Sequence, residues 1–290
     1  VQLWDFHTRS LSGITSDYVA MAAWTRGWLA DNPPQPEIVD TSVMSLGTRY
    51  DLSFELPIWR ETTLSPIHRD GDGVPVPVRY ETLTGILLVA SNATESEPAF
   101  PVFFGHGLTV SAELMVLLME EFDLTQGPYA IFLMDWDLHG DRGGGLTDLL
   151  QITGGLNMQA FAGTMLQSST DYLVATEVLQ RLPALPDRGN VILKDPLLYL
   201  GNSLGSLVGV LALTEDPYTD AAILNVGGGG ISHIVRDGTI IASLGVEDAI
   251  AAAVEEAPPQ LLSPGLAVDA LLVMSQLGLD PGDPLSFARL

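Results

Sequence analysis

The stretch YLGNSLGSLVGVLAL, residues 199–213, sets Ser203 between Gly201 and Gly205, directly after one apolar run and directly before another. Where Gly-x-Ser-x-Gly joins a buried strand to a helix, the glycines relieve crowding at a sharp turn. The serine hydroxyl is then left at the carboxyl end of the strand. That point is also the amino end of the helix, where backbone N–H groups and the helix dipole favour a developing negative charge. Two readings follow: an activated nucleophile, or a plain turn serine, because glycine and serine are common in turns. The strand–elbow–helix context is the one that nucleophilic chemistry needs.

Working outward, the same rhythm of strand, glycine-bearing loop and helix begins at Gly85. AFPVFFGHG (99–107) is an apolar run into a loop, followed by the helical SAELMVLLMEEF (111–122). YAIFLMDW (129–136) leads into DLHGDRGGG (137–145) and a long helical segment from about Leu156 to Leu182. LLYLGNS (197–203) enters the elbow, and DAAILNV (220–226) ends in four glycines, 227–230. Continuous apolar strands alternating with helices indicate a parallel sheet covered on both faces, an α/β fold.

Residues 1–84 read as an N-terminal extension. Residues 12–36 form a helix capped at Thr15 or Ser16 and stopped by Pro33 and Pro34. Residues 42–60 and 76–91 read as strands joined across HRDGDG (68–73), a run of turn formers. The Asp-Gly-Asp-Gly at 70–73 lacks the later ligands and terminal glutamate of a calcium loop and reads as a hairpin turn. Residues 231–290 carry helical patterns at 246–257 and 263–284 and read as a lid-like segment, with the sheet left incomplete.

Composition narrows the function classes. Apolar residues make up 47% of the 290, with 29 glycines, as in a globular α/β protein. No apolar run reaches the roughly 18 residues of a membrane-spanning helix. The opening residues lack a basic, apolar leader pattern, so a signal peptide is expected to be absent or already removed. Lys194 is the only lysine, and the formal net charge is −24. Such a surface repels nucleic acid and anionic membrane. With no cysteine, disulfides, thiolate metal sites and cysteine nucleophiles are excluded. No histidine pair has a metal spacing, and the 227–230 run lacks the flanking residues of a phosphate or dinucleotide loop, so no cofactor is expected.

FFGHGLT (103–109) together with GNSLG (201–205) resembles an α/β-hydrolase of the esterase/lipase superfamily, over roughly Gly85 to Gly230. The resemblance implies a mostly parallel α/β-hydrolase sheet with helices on both faces. His106 and Gly107 match its oxyanion loop, and the elbow match makes Ser203 the nucleophile. The backbone N–H groups of Leu108 and Leu204 would hold the oxyanion. By the same resemblance His106 is a structural member of the loop, whose ring hydrogen-bonds backbone. LNVGGGG (224–230) is similar to secreted or lipoprotein-type bacterial hydrolases, which implies an extracellular or cell-envelope location.

In that superfamily an acid and then a histidine follow the serine, on loops after two further strands. No histidine follows His233. The acid–histidine pair is therefore expected beyond Leu290. His139 reads as a loop residue at the site rim, His233 as a lid residue, and His7 and His68 as surface groups. The resulting expectation is a serine hydrolase of carboxylic esters, with a small-molecule ester or lipid-like substrate suggested by the apolar LLVMSQLGL (271–279), a stretch that also reads as plain core. The alternative is a noncatalytic α/β-hydrolase-like binding or scaffold protein that keeps the elbow without a full triad.

Overall fold

The apolar run before the elbow becomes an inner strand of one seven-stranded sheet, and the run after it becomes a helix. The structure, a computed structural model, describes residues 10–45, 47–119, 127–143, 157–237 and 275–288. Strands β1 (Glu37–Val43), β2 (Gly47–Ile58) and β3 (Arg79–Ala90) form an antiparallel side. They continue through an antiparallel β3–β5 pair into the parallel strands β4 (Phe100–Gly105), β5 (Tyr129–Leu133), β6 (Leu197–Asn202) and β7 (Thr219–Asn225). The order across the sheet is β1-β2-β3-β5-β4-β6-β7. β3 runs without interruption through residues 84 and 85, where the sequence reading draws a boundary, so β1, β2 and β3 belong to the same sheet as the strands that follow.

Helix α1 (Leu11–Asp31) starts earlier than expected. Ser10 is extended, and its hydroxyl accepts the Gly13 N–H at 3.1 Å, so the cap is Ser10 and neither Thr15 nor Ser16. The helix ends before Pro33, as read. The expected single strand over 42–60 divides into the end of β1 and β2, with Met44 and Gly47 exchanging backbone hydrogen bonds between them. Residues 70–73 are a turn in which the Asp70 carboxylate accepts the N–H groups of Asp72 and Val74.

Crossover helices α2 (Ala112–Met119), α3 (Met158–Gln180) and α4 (Leu204–Ala212) follow β4, β5 and β6. Period-two alternation sends Phe103, Phe132 and Tyr199 to one face, where they meet Trp136 and Tyr172 in the main core. The opposite face pairs Ile86, Leu88, Ile131 and Leu133 with Val116 and Met119 of α2. Burial of these side chains, each worth roughly 1.5–3 kcal/mol, holds the strand ends that carry the site in place.

The C-terminal residues correct one expectation. Within the 231–290 segment read as a lid, α5 (Ile231–Asp237) and α6 (Pro284–Phe287) are described. Phe287 enters the main core edge-on to Tyr18 at 5.6 Å. Asp283 is fully buried and accepts the N–H groups of Gly230, Ile231 and Leu285 at 2.6–2.9 Å. Residues 275–288 are thus core structure, because an apolar ring and a satisfied carboxylate anchor them. The helical pattern at 246–257, and that at 263–284 up to residue 274, lie outside the described residues.

Candidate active site

β6 ends at Asn202 and α4 begins at Leu204, leaving Ser203 alone to reverse the chain. Its backbone sits at φ 52°, ψ −112°, where a non-glycine residue is strained by about 1–3 kcal/mol. The turn persists because its neighbours over-determine it. The Ser203 N–H donates to the Asn225 carbonyl of β7 at 2.9 Å, and the Ser203 carbonyl accepts the first helical N–H groups, of Ser206 and Leu207. The Ser206 hydroxyl lies 2.8 Å from the Gly201 carbonyl and 2.7 Å from that of Asn225.

Both glycines of the motif are required by contact. A Cβ on Gly201 would sit 2.7 Å from the Gly205 carbonyl oxygen, and one on Gly205 would sit 2.1 Å from that of Gly105. Gly105 is the last residue of β4 and pairs with Gly201 in register. The β4 exit loop and the elbow therefore touch, and the Gly205 N–H donates to the His106 carbonyl at 3.0 Å. The Tyr199 hydroxyl fastens the underside by donating to the Gly205 carbonyl.

Gly107 follows directly and lies over the serine. A Cβ there would fall 3.6 Å from the Ser203 Cβ, an ordinary van der Waals contact. Leu108 comes next, half-buried, and Thr109 turns the chain at φ 62°. Among the described residues, neither the Leu108 N–H nor the Leu204 N–H has a hydrogen-bond partner. Ser203, Leu108 and Leu204 thus gather at the carboxyl edge of the sheet, which is where open α/β sheets bind ligands.

His106 is wholly buried. Its Nε2 accepts the Trp136 N–H at 3.1 Å, so the proton resides on Nδ1, which lies 2.9 Å from the Gly107 carbonyl and donates to it. Its own carbonyl accepts the Trp136 indole N–H at 3.1 Å. Burial pulls its pKa down to about 4, against the opposing pull of the Gly107 bond, so the ring is neutral near pH 7. With both nitrogens engaged, the ring ties Gly107 to Trp136. His139 is also buried; its Nδ1 contacts the Asp137 carbonyl at 3.0 Å, and burial lowers its pKa. Its ring lies 5.2 Å from that of His106, behind the loop. His233 is exposed on α5, and His68 lies 3.3 Å from Glu61 on the surface; His7 falls outside the described residues.

The sequence reading places only His139 in the loop after β5, at the site rim, and the structure adds several carboxylates and arginines. Asp135 accepts the Ala112 N–H at 2.7 Å and the Asp141 N–H at 3.1 Å, and burial raises its pKa. Asp137 pairs with the buried Arg60, and Arg142 pairs with the buried Asp171 at 2.6 Å. Burial lifts the Asp171 carboxyl to about 6 even beside that guanidinium. The available signal was the density of charge in DWDLHGDR, unusual for a segment leaving a buried strand.

No family model and no curated protein matches the sequence. Among solved structures, the chain is similar to an acetyl xylan esterase from Paenibacillus sp. R4, at 13% identity over 97% of this chain and 80% of that one, TM-score 0.49. It is also similar to acetyl xylan esterase 1 from a Thermoanaerobacterium species, at 12% identity over 95% and 80%, TM-score 0.46. A Bacteroides fragilis protein assigned provisionally to the same activity gives 12% identity over 75% of this chain, TM-score 0.41. The chain spans 55% of that protein's length. At such identities the chain's own topology defines its fold. Parallel strands ordered β5-β4-β6-β7 beside an antiparallel edge, with the serine elbow after β6 touching the His-Gly loop after β4, make this an α/β-hydrolase fold.

Proposed function

We propose that the protein is a serine hydrolase of carboxylic esters, with Ser203 as nucleophile and the Leu108 and Leu204 N–H groups as oxyanion donors. The observation that carries this reading is the strained Ser203 backbone at a strand–helix junction, with Gly107 packed directly against it. A strained position is kept where the surrounding structure enforces it, and such positions cluster at active sites.

In this reading Ser203 Oγ attacks the acyl carbon and the carbonyl electron pair moves onto oxygen. The two N–H groups stabilise that oxyanion, an effect worth about 2.7–4 kcal/mol per donor in enzymes of this kind. Collapse expels the alcohol, which takes the proton first removed from Oγ, and water then frees the acid from the acyl-enzyme. In this reading proton transfer requires a histidine backed by a carboxylate.

Labelling with a fluorophosphonate and hydrolysis of p-nitrophenyl esters of several chain lengths test the proposal, in this chain and in one extended beyond Leu290. Labelling and turnover should be Ser203-dependent and far stronger in the extended chain. Without its base the serine retains only roughly 10³–10⁴-fold acceleration over water. An extended chain inert to every ester and to the phosphonate would overturn the hydrolase in favour of a binding protein.

A further inference from the structure

We propose that Asp135 is the positioning residue of the oxyanion loop, clamping the segment that carries Leu108 to the end of β5. This rests on the assignment of Ser203 and Leu108 above.

Residues 107–111 make one weak internal bond, from the Val110 N–H to the Gly107 carbonyl at 3.4 Å. The shape of the segment is therefore set by what holds its two ends. His106 holds the first through Trp136 and Gly205. The second end is Ala112, the first residue of α2, whose N–H has no partner within its own helix. Asp135 Oδ1 accepts that N–H at 2.7 Å, a charge-assisted bond about twice as strong as a neutral one.

The carboxylate is itself immobilised. Oδ2 accepts the Asp141 N–H at 3.1 Å, and Gly140, at φ 52°, leaves the necessary space: a Cβ there would fall 1.9 Å from Oδ2. The Asp135 carbonyl accepts from Arg142 at 3.2 Å, and the same guanidinium is anchored on the buried Asp171. The chain of support runs from α3 through Arg142 and Asp135 to Ala112, four residues from the proposed donor. Asp135 Oδ1 also stands 4.0 Å from His106 Nε2, so one carboxylate borders both ends of the loop.

Loss of this clamp should leave substrate binding intact and misplace the donor that acts in the transition state, which lowers kcat without changing KM. The test compares Asp135→Ala, which removes both acceptors, with Asp135→Asn, which keeps one oxygen. Ester turnover is measured per mole of folded protein, and backbone hydrogen exchange is followed over residues 104–112. Asp135→Ala should lose about tenfold or more in kcat with KM unchanged, Asp135→Asn should fall between, and exchange over 104–112 should quicken in the same order. Strands β2 and β3 should keep their protection. Normal kcat in folded Asp135→Ala, or unaltered exchange in the loop, overturns the proposal. If Asp135→Ala does not fold, Asp135→Asn decides by the same two measures. Should the unsubstituted chain show no Ser203-dependent turnover, the catalytic reading fails by itself, and the exchange comparison still decides whether Asp135 holds the loop.

Discussion

Gly105 and Gly205 stand back to back where β4 meets α4, so close that a Cβ on Gly205 would lie 2.1 Å from the Gly105 carbonyl oxygen. The obstacle is backbone of a central strand and cannot yield as a side-chain tip would. Gly205→Ala should therefore destabilise the protein by about 3 kcal/mol or more, at the upper end of overpacking costs. Urea unfolding measures this, and a loss below that of an ordinary surface substitution would refute the contact.

Ser203 holds φ 52° without the freedom of glycine. Ser203→Gly should relieve the strain, at the cost of about 0.5–1 kcal/mol of extra chain entropy. Ser203→Ala keeps the strain. The glycine variant should thus unfold at higher urea than the alanine variant; equal or reversed midpoints would mean that the elbow stores no strain.

His106 titrates near 4 when folded against 6.5 when free, chiefly because of burial. As pH falls the unfolded chain takes up this proton first, so the contribution of the neutral ring, on the order of 3 kcal/mol, is complete above 6.5 and lost towards 4. His139 is depressed in the same direction, whereas the raised Asp171 carboxyl works oppositely, its contribution fading as pH rises through about 6. Comparison with His106→Asn isolates the first effect. The stability gap between the two proteins should be wide at pH 7 and narrow at pH 4, and a gap independent of pH would contradict the neutral buried ring.

Arg142 and Asp171 form a buried pair, 8% and 0% exposed, at 2.6 Å. Arg142→Met should cost about 3–5 kcal/mol by leaving the carboxylate unpaired. Arg142→Met with Asp171→Asn, which still offers Gln167 an acceptor, should recover more than half of that loss. Additive losses in the double variant would show that the two charges are not coupled.

With 36 acidic and 12 basic residues, the folded chain repels itself. Raising salt from 0.1 to 1 M shortens the screening length from about 10 to about 3 Å. The melting midpoint should climb over that range, and a fall would show that attractive surface pairs outweigh the net charge.

The strand–elbow–helix around Ser203 and the alternation that follows Gly85 were legible in the amino-acid order. Each is local: apolar runs, glycines at fixed offsets and a short motif specify the backbone within a few residues. Cap and strand limits were less so, since Ser10 and β1 depend on which nearby donor or strand edge is available. Contacts distant along the chain left no periodic trace. Arg60 meets Asp137 across 77 positions, and Asp135 meets Ala112 across 23. Phe287 gave no sign of its place against Tyr18, because one apolar residue in a short helix reads alike on a lid and in a core. Local backbone preference determined the elbow from the sequence alone; only tertiary packing decided which buried carboxylate, glycine and aromatic ring would hold it.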